Sequence, residues 1–145
     1  MSSGQHTLSD IHPCLTYDDA LVAIDWLCST FGFIKRLVVP GENGSVMHSE
    51  LSLGTGVVMV SSPRPEAKRL GPRSSGGAVS TLSVYVANPD EHFANAVAAG
   101  AHIVRPIQDE EYGARGYSVE DIEGHQWYFG NYRPGQYWEM EPSAS

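Results

Sequence analysis

The sequence predicts an α+β fold built from two β-α-β-β-β modules, and three observations in its 145 residues carry the prediction. Two segments have helical apolar periodicity, each opened by a capping residue and closed by a glycine. Short alternating stretches, bounded by turns rich in Gly and Pro, surround both of them. The two halves also repeat: Gly32 and Gly100, which end the helices, lie 68 positions apart, and so do Gly56 and Gly124 in the turns. One helix per module covers one face of a four-stranded sheet, so the opposite faces must pack, bind or be wet. Curved sheets, mixed or antiparallel, with their helices outside make a cup.

In chain order, Met1 to Ser9 is polar and lacks the basic start and apolar centre of a signal peptide or anchor. Ile11 to Tyr17 reads as a short strand that Pro13 confines to a strand start or an edge. Asp18 or Asp19 caps a helix reaching Phe31, with Leu21, Ile24, Leu27, Cys28 and Phe31 on one stripe and Gly32 as the stop. Phe33 to Val39 is a strand, Pro40 to Gly44 a turn, and Ser45 to Leu53 an alternating strand. Gly54-Thr55-Gly56 then turns the chain into Val57 to Ser61, completing a module over residues 10–61.

Residues 62–77 contain three prolines and three glycines without periodicity, which marks a linker. It carries Arg64, Lys68, Arg69 and Arg73, and reads as a solvated loop, with an anion-binding lid as the lesser alternative. The second module spans 78–132. Val79 to Ala87 alternates, Asn88-Pro89 opens a helix ending at Gly100, and Ala101 to Arg105 is the next strand. An acidic loop from Gln108 to Gly113 precedes a hairpin of Gly116 to Glu120 and Gln126 to Tyr132. Residues 133–145 form a C-terminal tail, and the whole chain is one domain.

A net charge of −8 and a pI near 5.1 argue against nucleic acid as a partner, because phosphate binding needs a basic surface. No apolar run reaches transmembrane length, so no membrane is expected either. Cys14 and Cys28, the only cysteines, sit in apolar segments and read as small core hydrophobes in a reducing compartment. The cytoplasm is the expected location. No Ser lies in a Gly-x-Ser-x-Gly elbow, and the Gly-containing turns lack the following helix that a phosphate cradle requires. The paired carboxylates Asp18-Asp19, Asp109-Glu110-Glu111 and Glu120-Asp121 suit capping and turns, while His6, His92, His102 and His125 read as structural or solvated.

The acidic turn Asp121-Ile122-Glu123-Gly124 runs into the aromatic stretch His125-Gln126-Trp127-Tyr128-Phe129. Together with its flanks, Tyr112 to Pro134, it resembles the closing hairpin of the vicinal oxygen chelate superfamily. That superfamily includes glyoxalase I, the bleomycin- and fosfomycin-resistance proteins and extradiol dioxygenases, and its small PhnB-like members are the most similar. The usual Asp-Pro of that turn is Asp121-Ile122 here. The resemblance implies a cup with a divalent metal held from the first and last strands of each module. Those positions correspond to His12, Val60, Thr81 and Tyr128, of which only His12 is a competent ligand, against about three in a catalytic site. His48 and Glu50, two apart on one strand, could join His12 as a lesser alternative set. Neither a metal nor another cofactor is expected.

By alternation the cup faces carry His12, Cys14, Thr16, Val58, Val60, Thr81, Ser83, Tyr85, Gln126 and Tyr128. Apolar walls with a few hydroxyl, amide and imidazole groups describe a pocket for an organic ligand. The predicted ligand-binding set is His12, Thr16, Val60, Thr81, Ser83, Tyr85, Gln126 and Tyr128. The expected function is binding of a small organic molecule, similar to the sequestering resistance proteins. The alternatives are a metal-dependent lyase, isomerase or dioxygenase and, third, an interaction module with a filled cup. The resemblance also implies a homodimer, since its members commonly complete their cups with a second chain.

Overall fold

The computed structural model describes residues 8–135. His6, most of the polar N-terminal stretch and the tail beyond 135 lie outside the described residues. The first module contains β1 (Cys14–Thr16), α1 (Ala20–Phe31), β2 (Ile34–Pro40), β3 (Val46–Leu53) and β4 (Gly56–Ser61). The linker holds the short α2 (Pro72–Ser75). The second module contains β5 (Thr81–Tyr85), α3 (Pro89–Ala98), β6 (His102–Asp109), β7 (Arg115–Glu120) and β8 (Gln126–Gly130). The strand orders are β1-β4-β3-β2 and β5-β8-β7-β6, and among the described residues no strand of one sheet pairs with the other. In each sheet the first and last strands run parallel while the remaining pairs are antiparallel. No helix among the described residues is long and apolar enough to cross a membrane.

Local chemistry sets the element boundaries. Asp19 accepts the Val22 N–H at the start of α1, and Gly32 takes a left-handed φ of +89° to end it. Asn88 caps α3 in the same way through Glu91 N–H, with Pro89 at the first helical position. The strand from residue 102 outruns its prediction and continues through Pro106 to Asp109. It can do so because β6 is an edge, and the register slips between Arg105 and Gln108, where the missing proline N–H would otherwise break a ladder.

Both sheets turn one face to a single shared core. Leu15, Leu51, Val58 and Val60 come from the first sheet, Tyr117, Val119, Trp127 and Phe129 from the second, and Ala23, Ile24, Leu27 and Phe31 from α1. The Phe31 ring lies 5.4 Å from Trp127 and 4.7 Å from Phe129, so the first helix packs on the second sheet as well. The other face of each sheet therefore looks away from the core, with the helices on the far side.

A turn of the second module clasps the first. Asp121 Oδ1 accepts the backbone N–H groups of Glu123, Gly124 and His125, at 3.0, 3.1 and 3.0 Å. Its Oδ2 accepts Tyr17 O–H at 2.6 Å and Trp127 Nε1–H at 2.9 Å. Next to it, Glu123 takes the N–H groups of Asp18 and Asp19 at 2.6 and 2.8 Å, capping α1 from another module. His125 Nε2 donates to Thr16 C=O at 2.9 Å. The linker seals this joint, with Arg73 donating to Ile122 C=O at 3.2 Å and Gly71 against Thr16 C=O. Part of the predicted solvated loop is thus docked structure, and Gly71 and Pro72 are buried.

Two expectations for the first sheet are corrected. Val58 and Val60 do not face the cup: they are 6% and 0% exposed and belong to the core. Leu15 pairs with Val60 and Cys14 with Met59, so Met59 and Ser61 share the open face with Cys14 and Thr16. The cause is one extra residue. The first closing hairpin has a two-residue turn between the paired Leu53 and Gly56, whereas the second has three residues between Asp121 and His125. The equal spacing of Gly56 and Gly124 joins a strand residue to a turn residue, and the last strands correspond at 69 positions instead of 68. Cys14 is exposed, as its place on the cup face by alternation implies, and is not the core residue its apolar segment suggests; Cys28 is half-buried.

Candidate functional site

The open face of the second sheet carries the residues predicted for it. Register pairs Thr81 with Gln126, Ser83 with Tyr128 and Tyr85 with Gly130, placing the five side chains on one surface while Leu82, Val84, Trp127 and Phe129 point to the core. Tyr85 is 45% exposed, and the Arg133 guanidinium lies 4.8 Å from its ring centre. Thr81 and Ser83 are exposed.

Tyr128 lies down across the sheet instead of standing up from it. A Cβ at Gly116 would collide with the Tyr128 hydroxyl, and one at Gly130 would sit 2.8 Å from its ring, so both glycines exist as floor for the phenol. The hydroxyl donates to Glu110 Oε2 at 2.8 Å, and Arg105 Nη2 donates to the same oxygen at 2.6 Å. Burial, then the Glu110 carboxylate, pushes the Tyr128 hydroxyl well above its ordinary pKa. Arg105 holds Glu110 below the usual carboxylate range. Arg105 Nη1 is buried and has no acceptor among the described residues. Gln126 is tied to Glu120 Oε2 through its amide at 2.6 Å. The sequence does not reveal the roles of Arg105 and Glu110, because they meet over Tyr128 only through the register shift after Arg105 and the turn that follows β6.

The open face of the first sheet differs. His12 is exposed in the extended segment before β1, and Thr16 is half-buried on β1. Between β1, β3, β4 and the linker lies a depression of about 260 Å³, lined by Cys14, Met47, His48, Met59, Arg64 and Arg69 among others. His48 Nε2 meets Glu50 Oε2 at 2.9 Å, as their shared face predicts. His12 does not join them: no three His, Cys, Asp or Glu side chains converge among the described residues. The corrected register replaces Val60 by Met59 among the positions where the family holds a divalent ion. His12, Met59, Thr81 and Tyr128 do not fit one, because a thioether is a poor partner for such an ion and the Tyr128 proton is committed to Glu110.

Residues 8–129 match the family described as the Glyoxalase/Bleomycin resistance protein/Dioxygenase superfamily. An uncharacterized protein of Mycobacterium bovis is 33% identical over 123 residues, covering 83% of this chain and 81% of its own. Among solved structures, TioX from Micromonospora sp. ML1 is 37% identical with a TM-score of 0.72, over 86% of this chain and 99% of that one. Lactoylglutathione lyase from Agrobacterium tumefaciens shares the fold at 17% identity and a TM-score of 0.67, over 92% and 98% of the two chains.

Proposed function

The chain belongs to the Glyoxalase/Bleomycin resistance protein/Dioxygenase superfamily, and from that premise we propose that it binds a compact, partly aromatic organic molecule on its open sheet faces without a metal. The observation that carries this reading is the row of side chains on the second sheet. Two tyrosines offer ring surface and Thr81 and Ser83 offer exposed hydroxyls, all anchored on strands whose opposite faces are packed. Within such a complex Tyr85, exposed and flanked by the Arg133 guanidinium, supplies one aromatic wall. Tyr128, fixed by Glu110 and the two glycines beneath it, supplies a rigid one.

A second copy of the chain covers these faces. Ile34, Leu37 and Val39 on β2 and Val104 on β6 are large apolar side chains left exposed at 52%, 43%, 36% and 53%, a pattern that favours association. Sedimentation is expected to give a dimer at micromolar concentration, and a monomer there overturns that part. The two unpaired thiols suit a cytoplasmic setting.

A thermal-shift screen of small aromatic compounds tests the binding reading. A ligand at 100 times its dissociation constant stabilises the fold by about 2.7 kcal/mol. Tyr85→Ala, which alters an exposed side chain, is expected to abolish the shift without lowering the melting temperature of the free protein. Equal shifts in both proteins would put the site elsewhere, and chemical conversion of a hit that depends on His12 would favour an enzyme.

A further inference from the structure

We infer that the depression on the first sheet is an anion subsite, which takes the carboxylate or sulfonate end of an organic ligand. The ligand's organic part rests on the binding reading above; the charge preference rests on the depression alone. Arg64 and Arg69 form an antiparallel bridge, Arg64 N–H to Arg69 C=O at 2.8 Å and Arg69 N–H to Arg64 C=O at 3.0 Å. Residues opposed in such a bridge project to the same side, and like charges in that position repel. Neither guanidinium has a carboxylate partner among the described residues, although Glu66 lies in the turn between them; Arg73, Arg105 and Arg115 are paired with carboxylates, Arg36 is bonded to Ser52 and Arg133 lies over the Tyr85 ring. In a chain with 9 cationic and 17 acidic side chains, two adjacent arginines without counter-charges are an unusual arrangement that an incoming anion would relieve.

The surroundings point the same way. Arg64 Nη2 donates to Met47 C=O at 3.1 Å, which ties the guanidinium to β3 at the rim of the depression. The Glu50 carboxylate, the nearest acid on β3, is engaged by His48. Cys14, Met47 and Met59 supply a soft apolar wall for the carbon skeleton next to the charge. At about 260 Å³ the space is smaller than a whole-ligand pocket and suits one end of a ligand. A guanidinium pair matches a planar carboxylate better than a spherical ion, because each offers parallel N–H donors.

Cys14 is both exposed and inside the depression, so its thiol can report on what enters. In a Cys28→Ser background, its reaction with 5,5′-dithiobis(2-nitrobenzoate), an aromatic dianion, is compared with that of the neutral 2,2′-dithiodipyridine. The expected result is a rate ratio favouring the dianion despite the negative net charge, reduced about tenfold in Arg64→Ala/Arg69→Ala, with the neutral reagent unaffected. Benzoate at millimolar concentration is expected to slow the dianion in the parent only. Lys68→Ala, which removes a neighbouring charge outside the depression, serves as control. A ratio unchanged by the double substitution, or lowered equally by Lys68→Ala, overturns the subsite. Loss of dianion preference with Tyr85-dependent ligands retained leaves the binding reading standing without its anion end. Dianion preference without any Tyr85-dependent ligand keeps the subsite and removes the binding reading.

Discussion

The hairpin that closes the first module and the one that closes the second occupy the same place in a repeated unit, yet they are tied to the molecule very differently. The first, Leu53 to Gly56, is a two-residue turn whose tip, Gly54 and Thr55, is exposed. The second, Asp121 to His125, has one more residue, and its two buried carboxylates collect seven hydrogen bonds from three segments. A turn can therefore be a mere connection or the joint of a protein at an equivalent position. Which of the two it becomes depends on whether its polar groups find partners in another module. The extra residue has a second effect, since it offsets β8 by one against β4 and so selects Tyr128 and Met59 as facing residues.

The contrast is broken most severely at Asp121. Asp121→Ala leaves the Tyr17 hydroxyl, the Trp127 indole N–H and three backbone donors without their acceptor in the core, and is expected to cost about 4 kcal/mol in urea unfolding. Thr55→Ala in the other hairpin should stay within about 0.5 kcal/mol. Equal losses would mean that the clasp does not hold the modules together.

The register difference is tested on β4. Val60→Ala removes a fully buried side chain and should destabilise by about 2 kcal/mol. Met59→Ala, half-exposed on the open face, should cost less than about 1 kcal/mol. The reverse order would restore the simple 68-residue repeat. At Glu123, the Gln substitution keeps one oxygen for the α1 cap and loses the charge near Arg73, for an expected cost of about 1–2 kcal/mol. Glu42→Gln, in the exposed turn before β3, provides the comparison and should be silent.

His92 is the second tie between modules. Its Nε2 lies 2.9 Å from Phe31 C=O, which can only accept, so Nε2 carries the proton and Nδ1 receives the Tyr117 O–H at 2.7 Å. Burial holds its pKa below the ordinary 6.5, partly opposed by the bond to Phe31. The unfolded chain therefore takes up this proton first as pH falls, and stability should decline as pH drops below about 6.5, until the folded histidine also titrates. Unfolding at pH 7.5 and 5.5 should show a smaller difference in His92→Gln than in the parent; an identical difference removes His92 from the joint.

The helices were readable because capping residues, apolar stripes and terminal glycines act within a few residues of one another, as Asp19 and Gly32 do for α1. The outward residues of β5 and β8 were readable for the same reason, since alternation along a strand needs no knowledge of its neighbours. Arg105 and Glu110 were hidden by a bulge at Pro106, and Cys14, Met59, Arg64 and Arg69 met only through strand register and the folding back of the linker. The sequence by itself determined the two modules and their helices, which rest on local periodicity, and pointed to the family through the resemblance of the hairpin around Asp121 to Phe129. Tertiary structure alone decided that Val60 is core, that Asp121 is a clasp and that two arginines share a depression. Those outcomes depend on turn length and on pairings between residues as far as 109 positions apart, where no local pattern reaches.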